Sequence, residues 1–197
     1  MLVFRAIKNQ YGSKQGLMWH CIFFALHQVG FYNRFKKIDF SRVARLVFVC
    51  QGNICRSPLG EAVARSSGVR TCSFGLNTRS HDPADPRAVA WGATRGYDLH
   101  SHLTTSIEDY VPEQGDLLIG MEPKHAKQLL LHFSDAPVQI TIAGLWLDTR
   151  RVYLHDPYNT NSLYFDLCEK KVELATLAIL KKYSKKVISN SRDNVYE

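Results

Sequence analysis

With 197 residues, 45% of them hydrophobic, the chain can bury one substantial core and reads as one domain with extensions rather than as two domains. Its net charge of +7 sits at the ends: residues 1–44 hold seven Lys and Arg against Asp39 alone (+6), 45–180 hold 13 basic and 15 acidic residues (−2), and 181–197 contribute +3. That distribution argues against a nucleic-acid-binding body, whose basic excess would form a patch on the folded domain. Five scattered cysteines without CxxC spacing argue against structural zinc and fit a reducing, cytoplasmic compartment.

Residues 1–44 form a basic, partly apolar N-terminal extension. Within it Met18, Ile22, Ala25, Val29 and Tyr32 follow helical spacing. The apolar run at 17–26 is interrupted by His20 and is too short to span a bilayer, which needs roughly 18 apolar residues or more. Two readings stay open: a helix packed on the body, or weak contact with an anionic membrane surface. The second would use Trp19, Phe23, Leu26, Phe31 and Phe35 beside Arg34, Lys36, Lys37 and Arg42. A secretory signal fits poorly, because no small-x-small cleavage site follows the apolar run. A translation start at Met18 is an alternative that would leave less of this segment.

From residue 45 onward short apolar runs alternate with amphipathic stretches. Strands are expected at 45–50, 70–74, 116–121 and 137–142, and helices at 57–67, 85–95, 122–133 and 162–183, with a short helix near 105–110. Asp85-Pro86 is a helix start, with aspartate as N-cap and proline at the first helical position; Gly68 and Gly96 are stops. The alternation implies an α/β fold with a mostly parallel sheet. The body is therefore placed at 45–183 and a basic C-terminal tail at 184–197.

The chemistry concentrates in Val49 to Pro58, VCQGNICRSP. A strand that enters a glycine-containing loop and then a helix points backbone N–H groups and the positive helix end at one small volume, which suits a phosphate-sized anion. Cys50 opens the loop and Arg56 closes it, so the thiol can lie beneath the anion while the guanidinium grips two of its oxygens. The same field favours the thiolate. Gly52 permits close backbone approach, Asn53 tolerates a left-handed conformation, and the Ser57 hydroxyl can stabilise the sulfur. A thiolate attacking phosphorus needs an acid for the departing oxygen. Asp156, in the rigid aromatic turn HDPYN at 155–159, is the best candidate, ahead of Asp98 and Asp148. No metal or cofactor is called for, since backbone N–H groups and Arg56 fill the cation's place.

VCQGNICRSP followed about a hundred residues later by DPY resembles the low-molecular-weight protein tyrosine phosphatases, and the resemblance runs from about Arg45 to Lys182. It implies a flavodoxin-like three-layer fold whose four-stranded parallel sheet, order 2-1-3-4, is flanked by helices. It implies Cys50 as nucleophile, Arg56 as phosphate ligand and Asp156 as acid, then base. Gln51, Gly52, Asn53, Ile54, Cys55, Ser57, Ser73 and His102 are implied as phosphate-binding or loop-supporting residues. Cys55 corresponds to the family's second loop cysteine, which can trap an oxidised Cys50 as a disulfide. Thr105 stands where the family usually places an arginine. SFGLNTRSHDPADP is most similar to bacterial members associated with exopolysaccharide kinases, which implies pocket walls from Tyr158 together with Asn77 or Arg79. The implied partner is a phosphotyrosine protein, with a bacterial tyrosine kinase as one candidate.

Three rival functions remain on this scaffold. Arsenate reduction needs relay cysteines after the third strand, and 120–135 has none. Phosphoarginine hydrolysis is associated with threonine where Ile54 stands. A non-catalytic phosphate-binding module would be expected to lack Cys50 or Asp156. Cys21, Cys72 and Cys168 read as packing residues.

Overall fold

The computed structural model describes residues 2–149 and 151–193. Four parallel strands, β1 (Arg45–Cys50), β2 (Thr71–Gly75), β3 (Asp116–Gly120) and β4 (Gln139–Ile142), form one sheet in the order β2-β1-β3-β4. The helices are α1 (Leu2–Tyr11), α2 (Lys14–Gln28), α3 (Arg56–Ser66), α4 (Pro86–Ala93), α5 (Pro123–His132) and α6 (Ser162–Asp193).

The central strand is apolar on both faces because both are covered. Its alternate residues divide the core: Leu46, Phe48 and Cys50 join Leu59 and Val63 of α3 and Phe165, Val172 and Ile179 of α6. Val47 and Val49 join Phe74, Leu118, Leu129 and Phe133 on the opposite face. Asp85 caps α4 as its sequence suggests, its carboxylate accepting the Arg87 N–H at 2.8 Å. Strand β4 starts two residues later than expected, after Pro137, which has no N–H for the ladder. Helix α6 runs to Asp193, so residues 184–193 extend that helix instead of forming a separate tail; 194–197 lie outside the described residues.

The expected helix at 105–110 is absent. Its backbone is engaged elsewhere: Thr105 N donates to Asn53 Oδ1 at 2.8 Å, Ser106 N donates to Ser80 Oγ at 2.7 Å, and Gly75 bridges to Ser106. Ser, Thr and Asn side chains offer such local alternatives to a helical ladder.

The N-terminal extension is packed on the body. Phe23 and Leu26 turn the inner face of α2 toward a cluster formed by Tyr32, Phe35, Ala126, Ile142, Leu145 and Val152, whereas Met18 and Ile22 of the expected stripe are exposed. Residues 33–42 run as two short 3-10 turns along the outer edge of β4. There the Thr141 hydroxyl donates to Phe35 O at 2.6 Å, and Gln139 and Asp39 exchange two hydrogen bonds. An edge strand with unpaired groups invites association; here the extension covers it. Tyr32 and Phe35 are only 3% and 5% exposed. Phe35→Ala is therefore expected to lower the unfolding free energy by roughly 3–5 kcal/mol, read from urea denaturation of the full chain.

Candidate active site

The loop 50–56 leaves the C-terminal end of β1, where parallel α/β sheets place their ligand sites. Asn53 is completely buried and left-handed, with φ 52°. Its position fixes a directed chain of hydrogen bonds. Asn53 Nδ2 donates to Ser57 Oγ at 2.9 Å and to Ser73 Oγ at 2.8 Å. Ser73 passes its own proton to Glu61 Oε2 at 2.6 Å. Ser57 Oγ lies 2.9 Å from Cys50 Sγ, and Asn53 N donates to the sulfur at 3.3 Å. The sulfur thus has a hydroxyl and a backbone N–H within hydrogen-bond distance. On the far side the Asn53 carbonyl accepts from His102 Nε2 at 2.8 Å. Burial holds His102 below its ordinary pKa, so the ring serves as a neutral strut. Gly75, at the end of β2, lets the loop close, since a Cβ there would stand 3.1 Å from Asn53 N.

Arg56 opens α3 and is 1% exposed. Nη1 donates to Glu122 Oε1 at 2.7 Å and to Leu154 O at 2.8 Å, and Nη2 lies 3.0 Å from Asp156 Oδ2. Burial opposes its charge, but Asp156 and Glu122 outweigh it and hold the guanidinium ionised. Nε is buried and has no hydrogen-bond partner among the described residues. Nε and Nη2 form the edge that a tetrahedral anion can grip bidentately.

Cys50, Gln51, Gly52, Ile54, Cys55, Arg56, Asp156 and Tyr158 line a cavity of 170 Å³. A larger groove of 540 Å³ between α1 and the start of α6 contains no cysteine and no carboxylate. The chemistry lies in the smaller one. Asn77 and Arg79, the suggested pocket walls, do not line it. The backbone of this segment is engaged, Asn77 N donating to Gln51 O at 2.9 Å and Arg79 O accepting the Thr104 hydroxyl at 2.6 Å. Tyr158 is the aromatic wall, beside Asp156, whose side chain is 37% exposed.

A sequence model of the low molecular weight phosphotyrosine protein phosphatases matches residues 45–189. The low molecular weight protein-tyrosine-phosphatase Etp of Escherichia coli K12 is 29% identical over 142 residues, covering 71% of this chain and 95% of Etp. Among solved structures, the tyrosine phosphatase Wzb from Escherichia coli K30, in complex with sulphate, aligns with a TM-score of 0.60 at 28% identity over 74% of this chain and 99% of Wzb. The YwlE arginine phosphatase from Geobacillus stearothermophilus aligns with a TM-score of 0.63 over 74% and 96%. At 18% identity that second likeness shows the fold alone. The chain belongs to the low molecular weight protein-tyrosine-phosphatase family. It is a phosphatase on the flavodoxin-like scaffold, and the match leaves residues 1–44 outside.

Several residues that build the phosphatase's site were not singled out from sequence. Glu61 anchors the Ser73 end of the loop network, and Glu122 fixes Arg56. Thr105 contributes its backbone N–H to Asn53 where an arginine side chain was expected. Glu122 had a legible signal, as the first polar side chain after an apolar parallel strand. Glu61 had none, because a glutamate on an amphipathic helix ordinarily faces water. Burial pushes the Cys55 thiol up, with Glu169 and Asp85 adding to the effect, so Cys55 is protonated at neutral pH. Attack on an oxidised Cys50 would first require that proton to leave.

Glu169 of α6 is buried, and neither carboxylate oxygen has a hydrogen-bond partner among the described residues. Burial raises its pKa to about 8, against the opposing pull of Arg56. The folded state therefore keeps a proton that the unfolded chain releases near its ordinary value of 4.5. Stability from this group is full below that value and declines as pH rises toward about 8. Glu169→Gln removes the effect. Urea unfolding at about pH 5 and about pH 8 should show the variant gaining on the wild type at the higher pH; a constant difference would contradict the buried proton.

Proposed function

We propose that the protein hydrolyses phosphotyrosine in proteins through a cysteinyl-phosphate formed on Cys50. The buried Arg56 edge, with Nε unpartnered and Nη2 beside Asp156 in the same cavity as the Cys50 sulfur, carries this reading. The phosphoryl group would rest on the 51–56 backbone amides and on Nε and Nη2 of Arg56, with Cys50 Sγ behind phosphorus. As the S–P bond forms and the P–O(aryl) bond breaks, Asp156 transfers its proton to the departing phenolate oxygen. The Asp156 carboxylate then takes a proton from water, whose oxygen attacks phosphorus as the S–P bond breaks, releasing inorganic phosphate and restoring both groups. Developing charge on the phosphoryl oxygens meets preorganised donors rather than a metal ion.

The apolar side chain of Ile54 and the ring of Tyr158 both face this cavity, which supports an aryl phosphate over phosphoarginine. A bacterial tyrosine kinase is the first candidate for the protein substrate, as the family resemblance implies. Five free cysteines support a reducing, cytoplasmic setting. No helix among the described residues is long and apolar enough to cross a membrane. Of the aromatic and apolar residues that a membrane contact would use, Phe23, Leu26 and Phe35 are packed on the body; the exposed Phe31 beside Arg34, Lys36, Lys37 and Arg42 supports weak contact with an anionic membrane surface. Co-sedimentation of the full chain with anionic vesicles at low salt, lost on adding salt, is the expected result.

Cys50→Ser should abolish turnover of an aryl phosphate while phosphate binding stays measurable by calorimetry, and in the wild type phosphate should protect Cys50 from alkylation. Asp156→Ala should lose roughly 10²–10⁴ in rate on esters of weakly acidic phenols, and much less on esters whose phenolate departs unaided. Side-by-side turnover of phosphotyrosine and phosphoarginine peptides tests the specificity, and preference for phosphoarginine would reverse it.

A further inference from the structure

The turn that carries Asp156 is flanked on both sides by bonds to the N-terminal extension. On its N-terminal side, Ser13 Oγ lies 3.1 Å from His155 Nε2, while Tyr153 OH lies 2.7 Å from His155 Nδ1, so both ring nitrogens are engaged. On its C-terminal side, Asn161 Nδ2 donates to Asn9 Oδ1 at 2.9 Å, and Asn161 Oδ1 accepts Tyr164 N at the start of α6.

The α1–α2 corner is shaped for this contact. Its sequence is YGSKQG, residues 11–16. Gly12 is left-handed, φ 79°, and a Cβ on it would stand 2.8 Å from His155 Cδ2. A Cβ on Gly16 would meet the same atom at 2.8 Å. Ser13 has two tasks: its hydroxyl oxygen accepts Gly16 N at 2.8 Å as the cap of α2, and it reaches His155. Phe23 of α2 adds a ring contact to Tyr153, with centroids 5.1 Å apart. The residue immediately before the acid is thus enclosed by two glycines and a serine of the extension.

We propose that residues 9–16 are a brace that positions the general acid, so that the extension acts in catalysis without touching the substrate. The proposal rests on the assignment of Asp156 as the acid. Proton transfer requires the carboxyl within about 2.6–3.2 Å of the leaving oxygen, and a group held to roughly 0.5 Å needs support from neighbours whose own positions are fixed. Asp156 sits in a turn with no strand or helix of its own. The body holds the turn through Arg56 at Asp156 and through Arg87 Nη2, which donates to Tyr158 O at 2.7 Å; Ser13 and Asn9 add a hold on its two ends, at His155 and Asn161. Asn9 and Ser13 are positioning residues.

The experiment compares the full-length wild type with Ser13→Ala, Asn9→Ala and the double variant on two aryl phosphates. One is phenyl phosphate, whose leaving oxygen needs a proton; the other is an ester of a strongly acidic nitrophenol. Inhibition by inorganic phosphate is measured in parallel. The brace predicts that kcat/KM of the double variant falls about tenfold on phenyl phosphate, a fraction of the 10²–10⁴ that a general acid supplies. It predicts less than about twofold on the nitrophenyl ester and an unchanged phosphate inhibition constant. Ser13→Thr, which keeps the hydroxyl, should restore most of the phenyl phosphate rate. If the double variant fails to fold, Asn9→Ala, at an exposed polar contact on α1, gives the same comparison. Equal losses on both esters, or no loss on either, would overturn the brace. Failure of the acid assignment has a separate signature: Asp156→Ala would then show no dependence on the leaving group, and the brace would fall with it.

Discussion

Arg56 is a full charge placed where almost no water reaches it, and the site depends on that placement being tolerable. An ion taken into a protein interior loses several kcal/mol of hydration. The structure offsets that loss with two carboxylates and a main-chain carbonyl, drawn from two separated parts of the chain: Glu122 after β3, and Leu154 O together with Asp156 in the acid turn. The guanidinium is thereby a joint between elements. Glu122 and Leu154 hold one nitrogen and leave the other edge to the cavity. Removing one partner of such a group commonly destabilises by about 3–5 kcal/mol, so the same contacts that orient the arginine for an anion also tie the loop to β3 and to the acid turn.

The second constraint is the direction of the loop's hydrogen bonds. Asn53 donates twice from one amide and accepts once through the same side chain, and the Ser73 hydroxyl, accepting from Asn53, points its proton at Glu61. A network in which each member has one satisfied arrangement is stiff, because every alternative leaves a buried polar group unpaired. Glu61 terminates it at one end and Cys50 at the other. The thiol environment is therefore set by residues as far off in sequence as β2 and the turn after His102.

Sequence made the sheet and the anion loop legible, since an apolar strand, a glycine-containing loop and a helix start are local patterns, and Cys50, Arg56 and Asp156 belong to one strongly patterned pair of motifs. The remaining parts depend on long-range placement. Glu122 and Glu61 become site components only because β3 and α3 bring them to Arg56 and Ser73. The expected helix at 105–110 gave way to side-chain and bridge contacts contributed by residues 53, 75 and 80, which no local propensity contains. The extension's helical spacing was visible in Met18, Ile22, Ala25, Val29 and Tyr32, but Phe23 and Leu26 carry the face packed on the body. Apolar residues on nearly every side of α2 leave periodicity unable to choose among its faces.

The docking of residues 1–44 also bears on how the chain is made. Asp39 pairs with Gln139 across 100 residues and Ser13 with His155 across 142, so these residues are made well before their partners. Contacts of such separation close slowly, because a long loop must be ordered before they return any stabilisation. During synthesis Phe23, Leu26, Tyr32 and Phe35 have no cluster to enter until β4 and the residues after it emerge. In the interval these apolar and aromatic side chains stay exposed, and transiently exposed apolar surface of this kind is prone to association.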